Sequence, residues 1–490
     1  MGELAQSRFV LVLAQLSCTN AAGVKMTASP AEPLRFWGGD FGVFAPFAVF
    51  LAGVAWLGLS GAPDERGFWP MVLLALTVGL FLSRDRTRFA DEAIQGMSRP
   101  LVATMILAWL LAGVLGRLLQ ETGFVDALIQ MANEAGLHGS GYVAASFVIC
   151  GVVSTATGTS LGTVLVCGPL LYPAGGALGA APSVLMGAIL GGATFGDNIS
   201  PISDTTIASA FTQEADIAGV VRSRVWYALV AAALALSWYL ALGTAAGADA
   251  IEPTVSGSYR GFVMLLVPVA VIALLLKGRT LLEGLLSGIA LAVALGLAFG
   301  LLSFSDLVYI DAASFSARGL LVEGMERGIG ASIFTLLLMG LVGPLEASGV
   351  LDRMIGAASR WIRSPRGAEA GIVAVTTAAV LVTTHSVVAI LTVGNFARRA
   401  GERFGISRYR RANLMDITVC VFPFILPYMI PTILAATTTA SGEEFGMPRL
   451  GPFAVGMANF HSFGLLAVML LAIATGWGSE RRMSDPPDPR

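Results

Sequence analysis

Charge is scarce in this chain. Asp, Glu, Lys and Arg make up 13% of its 490 residues while 55% are hydrophobic, and soluble domains carry about a quarter charged residues. That excludes an ordinary soluble globule and leaves a polytopic membrane protein with the bilayer as its partner. A net charge of −2 without a basic domain excludes nucleic acid, because phosphate binding needs clustered Lys and Arg. Cysteine is scarce too. Cys18, Cys150, Cys167 and Cys420 show no Cys-x-x-Cys spacing and lie mostly in apolar runs, so they read as small buried fillers rather than a disulfide framework or metal site. No His-Glu-x-x-His and no Gly-x-x-x-x-Gly-Lys is present. Metal hydrolysis and ATP use therefore lack a motif, and no cofactor is expected. The energy for any vectorial work must come from an ion gradient.

What is present is a series of apolar runs of spanning length, and the placing of Lys and Arg orients them. Residues 1–35 carry a signal-like apolar stretch after Arg8 that is too short to span, and Met26 opens a plain polar lead. The segment reads either as a targeting sequence or as an over-extended start, and is set aside from the fold. Phe41–Ser60 and Gly67–Leu82 form a hairpin, Leu101–Leu119 runs outward after Arg84, Arg86, Arg88 and Arg99, and residues 120–140 make an outer amphipathic segment. Gly141–Tyr172 has apolar ends but a Ser154–Ser160 middle too polar for one span, which fits a re-entrant hairpin. Ser183–Thr212 is a broken helix, and Val225–Thr244 returns outward.

From Gly261 the same order recurs upside down, with a second hairpin at Gly371–Ala397, a second broken helix at Asn413–Ala440 interrupted by Pro423, Pro427 and Pro431, and a last span at Phe453–Trp477. The expected fold is an all-α polytopic membrane protein of two inverted-topology repeats, each with a re-entrant helical hairpin and a discontinuous transmembrane helix. Repeat 1 covers 36–245, a linker 246–260, repeat 2 261–477, and a cytoplasmic tail 478–490. On this reading 21 Lys and Arg beyond residue 35 lie inside, five outside and one, Arg117, is undecided. Both termini are then cytoplasmic.

The stretch Gly191 to Thr206 puts two carboxylates, an amide, a proline and five hydroxyls where a span should be hydrocarbon. Charge at that depth is expensive and usually functional, and a helix broken there frees carbonyls and helix ends to hold a cation. Asp197 is the expected Na⁺ ligand or proton carrier, with Asn198, Ser200, Ser203, Thr205 and Thr206 as further ligands or caps. Asp204 is expected to cap the restarting half-helix. The hairpin tips add Thr155, Thr157, Thr159 and Ser160, then Thr384, His385 and Ser386. Interhelical hydrogen bonding is the competing role for each hydroxyl of the first tip. His385 would carry a proton or meet an anionic group, against a neutral histidine satisfied by a hydroxyl. His138 and His461 read as peripheral. Asp416 is read as paired with Arg410 or Arg411 ahead of a role in the site.

Gly158-Thr159-Ser160-Leu161-Gly162-Thr163 and, above all, Phe195-Gly196-Asp197-Asn198-Ile199-Ser200-Pro201-Ile202-Ser203-Asp204-Thr205-Thr206 resemble the NhaC family of Na⁺/H⁺ antiporters in the ion transporter superfamily. The resemblance extends over residues 40–477, more loosely in the second half. It implies a scaffold of outer helices, a mobile transport domain of hairpins and broken helices, a homodimer and an elevator motion. The chain departs from the family's polar Ser/Gln-type second tip at Thr383-Thr384-His385-Ser386. Some relatives move malate, lactate or methionine with Na⁺, and a histidine at that tip would suit an anion.

The expectation is a secondary active Na⁺/H⁺ antiporter of a bacterial-type inner membrane, exchanging Na⁺ and H⁺ at Asp197 near the bilayer midplane. Competition of the two cations for one buried carboxylate is antiport. The alternative is a Na⁺- or H⁺-coupled carrier of a small organic acid or amino acid. An intramembrane enzyme built on His385 with Asp197 or Asp204 is a distant third.

Overall fold

A computed structural model describes residues 32–59, 65–245, 259–312 and 315–478. The lead before residue 32 with Cys18 and Met26, the linker 246–258, and the tail from 479 with Arg481, Arg482 and Arg490 lie outside the described residues. The described chain is helical. Seven helices are long and apolar enough to cross a membrane by length and composition, as expected of a multi-pass protein.

The first half runs α1 (Asp40–Leu59), α2 (Phe68–Leu82), α3 (Arg86–Met97), α4 (Pro100–Glu121), α5 (Phe124–Glu134), α6 (Ser140–Thr157), α7 (Ser160–Leu171), α8 (Pro182–Ile199), α9 (Asp204–Thr212) and α10 (Ile217–Leu242). The second runs α11 (Leu266–Leu276), α12 (Leu281–Ala298), α13 (Phe304–Leu307), α14 (Leu320–Ala347), α15 (Val350–Trp361), α16 (Pro365–Thr383), α17 (Ser386–Arg403), α18 (Arg408–Val421), α19 (Ile430–Thr438), α20 (Pro452–Met457) and α21 (Phe460–Thr475). A small antiparallel ribbon, β1 (Tyr309–Asp311) with β2 (Ser316–Arg318), precedes α14. One order therefore appears twice: long helix, short amphipathic helix, helix pair, interrupted helix, closing helix.

Local chemistry sets these boundaries. Asp85, Asp216 and Ser364 accept the first free N–H groups of α3, α10 and α16, and Thr280 with Glu283 forms a capping box on α12. Pro100, Pro182, Pro365 and Pro452 stand at the first turns of their helices, where the missing N–H costs nothing.

The helices sort into two groups. α1 to α4, α11, α12 and α14 pack together, with α14 lying along α3 and α4. The helix pairs, the interrupted helices, α10 and α21 form the other. In that second group α6 lies close on α8, because a Cβ at Gly196 would come within 2.4 Å of Ser154 and of the Thr155 backbone. The groups meet where α7 crosses α4 and α19 meets α14. At the Glu121 end of this seam Arg117 bonds Glu323 (3.0 Å) and Glu444 (2.8 Å), and Arg327 donates to Gln120 (2.7 Å).

Several boundaries differ from the sequence reading. Residues 86–97 form a helix rather than a loop, and α14 begins at Leu320 instead of Ile329 because Arg117, Gln120 and Glu444 satisfy its charged first turns. The last run is split into α20 and α21, with Asn459 accepting from the Ser462 N–H at 3.2 Å. α18 starts at Arg408, five residues before the expected Asn413. The most consequential difference is α10, which starts at Ile217 and so carries Arg224, assigned from sequence to a cytoplasmic loop, inside the protein.

Candidate functional site

Four chain interruptions converge. α6 ends at Gly158, in the left-handed conformation (φ 70°), and α7 restarts at Thr159, whose hydroxyl accepts from the Gly162 N–H (3.2 Å). α16 ends at Thr384, also left-handed (φ 53°), and α17 restarts at His385, whose Nδ1 accepts from the Val388 N–H (3.4 Å). α8 stops at Ile199 and α9 begins after Ser200-Pro201-Ile202-Ser203. α18 gives way at Phe422–Phe424 to a looser passage before α19. Proline removes helix N–H donors at both interruptions, as the sequence indicates.

Between them lies a cavity of ≈ 110 Å³, room for several waters. Asp197, Asp204, Thr205, Thr159, Ser160, Thr384, His385 and Ser386 line its polar side, and Leu101 and Met105 of α4 its apolar side. The two hairpin turns, far apart in sequence, thus face one space.

Asp197, at the buried end of α8, accepts at Oδ2 from the Ser160 hydroxyl and at Oδ1 from the Ser203 hydroxyl, both at 2.6 Å. Hydrogen bonds to an ionised group are short and strong. Among the described residues no Lys or Arg lies within ion-pair distance of it. Ser203 stands at the N-cap of α9 but spends its hydroxyl on Asp197 rather than on the helix. It also meets Thr205 Oγ1 at 3.0 Å.

From Thr205 the network continues to Asp416. Thr205 donates to its Oδ1 (3.3 Å) and Ser209 to its Oδ2 (3.2 Å), and Arg224 forms an ion pair with Oδ2 while its Nη2 donates to Thr206 Oγ1 (2.6 Å). Asp416 and Arg224 are both wholly buried.

This corrects three expectations. Asp416 does not pair with Arg410 or Arg411. Arg410 makes a two-pronged pair with Glu369 (2.9 and 3.2 Å), and Arg411 turns to Gln213 and the Ile406 carbonyl, because α18 aims one turn's arginines away from the Asp416 face. Asp204 does not cap α9. It is the helix's first residue, open to the cavity and favoured there by the helix dipole. Thr155 and Thr157 bond the Gly151 and Val153 carbonyls of their own helix (2.7 and 2.9 Å) and do not line the cavity.

Ser200 is buried and its oxygen accepts from the Ile202 N–H (3.4 Å), a turn role. Asn198 is buried against the Cys420 thiol, and neither amide atom has an oxygen or nitrogen partner. The Ser386 hydroxyl ties the second tip to the Val419 carbonyl of α18 (3.3 Å). His461 is not peripheral. It is fully buried between Phe147 and Phe195, because Gly191 leaves space beside its Cβ. Sequence reasoning missed Arg224 and Ser209 as members of the network. An arginine within an apolar run was the available signal.

Residues 46–244 match the profile of the Na⁺/H⁺ antiporter family. The chain is 29% identical over 213 residues to the malate-2H⁺/Na⁺-lactate antiporter of Bacillus subtilis, covering 43% of this chain and 45% of that one. It is 27% identical over 172 residues to the Na⁺/H⁺ antiporter NhaC of Alkalihalophilus pseudofirmus, covering 35% and 37%. With the arginine/ornithine antiporter ArcD of Halobacterium salinarum it shares 24% over 360 residues, 68% and 71% of the two chains. The matched segments span less than half the length of the first two relatives. Over residues 46–244 the chain is therefore similar to the Na⁺/H⁺ antiporter family, and proteins named NhaC are among its relatives.

Proposed function

We propose that this multi-pass membrane protein exchanges Na⁺ for H⁺ at Asp197 by alternating access. The observation that supports this most is a buried carboxylate facing a cavity, held by two hydroxyls and lacking a cationic partner among the described residues. A carboxylate so placed needs a positive charge, and a Na⁺ ion or a proton supplies it. The hydroxyls of Ser160 and Ser203 suit both states. They donate to an empty carboxylate and can turn to offer lone pairs to a hard cation, which prefers oxygen ligands. Asn198, with its amide unspent, and Thr205 are the next candidate ligands. Asp204 at the cavity edge would hold a cation on its way in.

The wider reading follows the same lines. The two similarly ordered halves are inverted repeats whose helix pairs re-enter from opposite sides, bringing the interruptions together near the bilayer midplane. The group with α4 and α14 is the scaffold and the other the moving part, in a homodimer of the inner membrane with both termini cytoplasmic. Na⁺ and H⁺ are cargo, and no cofactor is required.

A second reading is coupled transport of a small organic acid or amino acid. It is favoured by His385 on the cavity wall and by relatives named for malate, lactate, arginine and ornithine. An enzyme is not favoured. Gly158-Thr159-Ser160-Leu161-Gly162 spells a nucleophile elbow, but it joins two helices rather than strand and helix, and Ser160 donates to Asp197 with no histidine between.

The test is flux. Purified protein in liposomes with an internal pH dye should pass protons when a Na⁺ gradient is applied, and Asp197→Asn should cut that flux at least 100-fold. Unchanged flux in Asp197→Asn removes the proposal. Na⁺-dependent uptake of a labelled organic acid or amino acid without proton movement transfers it to the second reading.

A further inference from the structure

The moving ion has one place to bind where the fold builds two carboxylates. Asp197 and Asp416 sit in the interrupted helices of the two halves, both buried, and are joined through Ser203 and Thr205 (2.6, 3.0 and 3.3 Å along the chain). Each carboxylate in so dry a setting demands a countercharge. Only one has it. Arg224, from the helix closing the first half, reaches Asp416 and is steadied by Thr206 at 2.6 Å.

We propose that Arg224 is a tethered cation that fills the Asp416 half of the site, so that a single monovalent cation binds per protomer and the exchange ratio is set by this arginine. The idea rests on the antiport reading of Asp197 and adds to it the count of ions. Guanidinium is permanently charged and presents a planar fork, so it cannot leave the carboxylate by losing a proton. The buried network then carries one uncompensated negative charge, that of Asp197. Asp204 and His385 line the same cavity but lie outside the pair and are common to all the variants below. Neither Thr205 nor Ser209 supplies charge to Asp416, so removing the guanidinium leaves a second vacant carboxylate a few ångströms along the same hydroxyl chain.

Four proteins test the charge count, with ²²Na⁺ binding to purified detergent-solubilised protein as the readout and thermal melting as the check on folding. Wild type should bind one Na⁺ per protomer. Arg224→Gln should bind two and shift the reversal potential of exchange in liposomes. Asp416→Asn, which leaves the guanidinium uncompensated beside the site, should lose Na⁺ affinity at least tenfold. The double variant Arg224→Gln/Asp416→Asn should return to one Na⁺ near wild-type affinity.

Should Arg224→Gln fail to fold, the comparison of Asp416→Asn with the double variant still decides. Equal affinities in those two, or one Na⁺ in a folded Arg224→Gln, overturn the tethered-cation role and leave a structural ion pair. Absence of Na⁺ binding or Na⁺-driven flux in wild type instead overturns the antiport reading itself.

Discussion

Gly158 and Thr384 hold the same left-handed backbone, φ 70° and 53°, at matching places in the two halves, and each sends its N–H back to the carbonyl four residues earlier (2.8 and 2.9 Å). They tolerate change unequally. A Cβ at Gly158 would meet Ile202 at 2.7 to 2.9 Å, including its carbonyl, while Thr384 already carries a side chain in that conformation. Gly158→Ala should lower stability by about 2 kcal/mol or more, from left-handed strain plus the clash. Thr384→Gly should lie within about 1 kcal/mol of wild type, because relief of strain offsets the added freedom of the unfolded chain. Thermal melts in detergent compare the two. A Gly158→Ala protein as stable as wild type would contradict the close contact between the first helix pair and the α8–α9 interruption.

How much of this was readable beforehand depends on the kind of signal. The interruptions were legible because glycine, proline and clustered hydroxyls are out of place in hydrocarbon, and their positions at Gly158, Pro201, Thr384 and Pro423 follow. Asp197 was legible for the same reason. Which arginine meets which carboxylate was not, since Arg224, Arg410 and Arg411 differ only in where packing points them. Ending the span at the first charge hid Arg224. The directions of the Thr155 and Thr157 hydroxyls, and the spending of Ser203 on Asp197 rather than on its helix, are rotamer choices made by neighbours.

The hydroxyls around Asp197 should separate by contact. Ser160→Ala and Ser203→Ala each remove a hydrogen bond to a charged group, a loss of about 1.5 to 3 kcal/mol, so Na⁺ affinity in the flux assay should fall roughly ten- to hundredfold. Thr155→Val and Thr157→Val should leave it within about twofold, because those hydroxyls end on their own helix. Equal effects in both pairs would mean that the Asp197 contacts do not govern cation binding.

The proposed alternating access predicts that a cross-link over the seam of α4 and α7 stops transport. A Cβ at Gly116 would lie 3.1 Å from the Pro169 Cβ, close to disulfide reach of about 3.5 to 4.5 Å. Cys150, Cys167 and Cys420 are buried and should not compete. Oxidised Gly116→Cys/Pro169→Cys should lose Na⁺-driven proton flux, and reductant should restore it. Full flux in protein shown to be cross-linked would exclude relative movement there.

Acid should weaken one cap at the start of α10. The Tyr409 hydroxyl and the Gly219 N–H both donate to Asp216 and hold its carboxyl below the usual carboxylate range. A carboxyl lowered by folding contributes stability at pH values above its unfolded value of about 3.9 and loses it as pH falls through the folded value. The group is largely exposed, so the contribution is small and screened by salt. Asp216→Asn, which keeps a capping side chain, should melt below wild type at pH 7 in low salt and match it near pH 3. A gap that persists at pH 3 would assign the effect to shape rather than charge.

The link between Arg224 and Asp416 joins a helix of the first half to one of the second, and it bears on biogenesis. A ribosome delivers the arginine to the membrane long before the aspartate exists. Until then α10 carries a permanent charge that hydrocarbon rejects. The early helices must therefore wait in a partly hydrated or translocon-held form, and the first half synthesised alone should be short-lived in the bilayer.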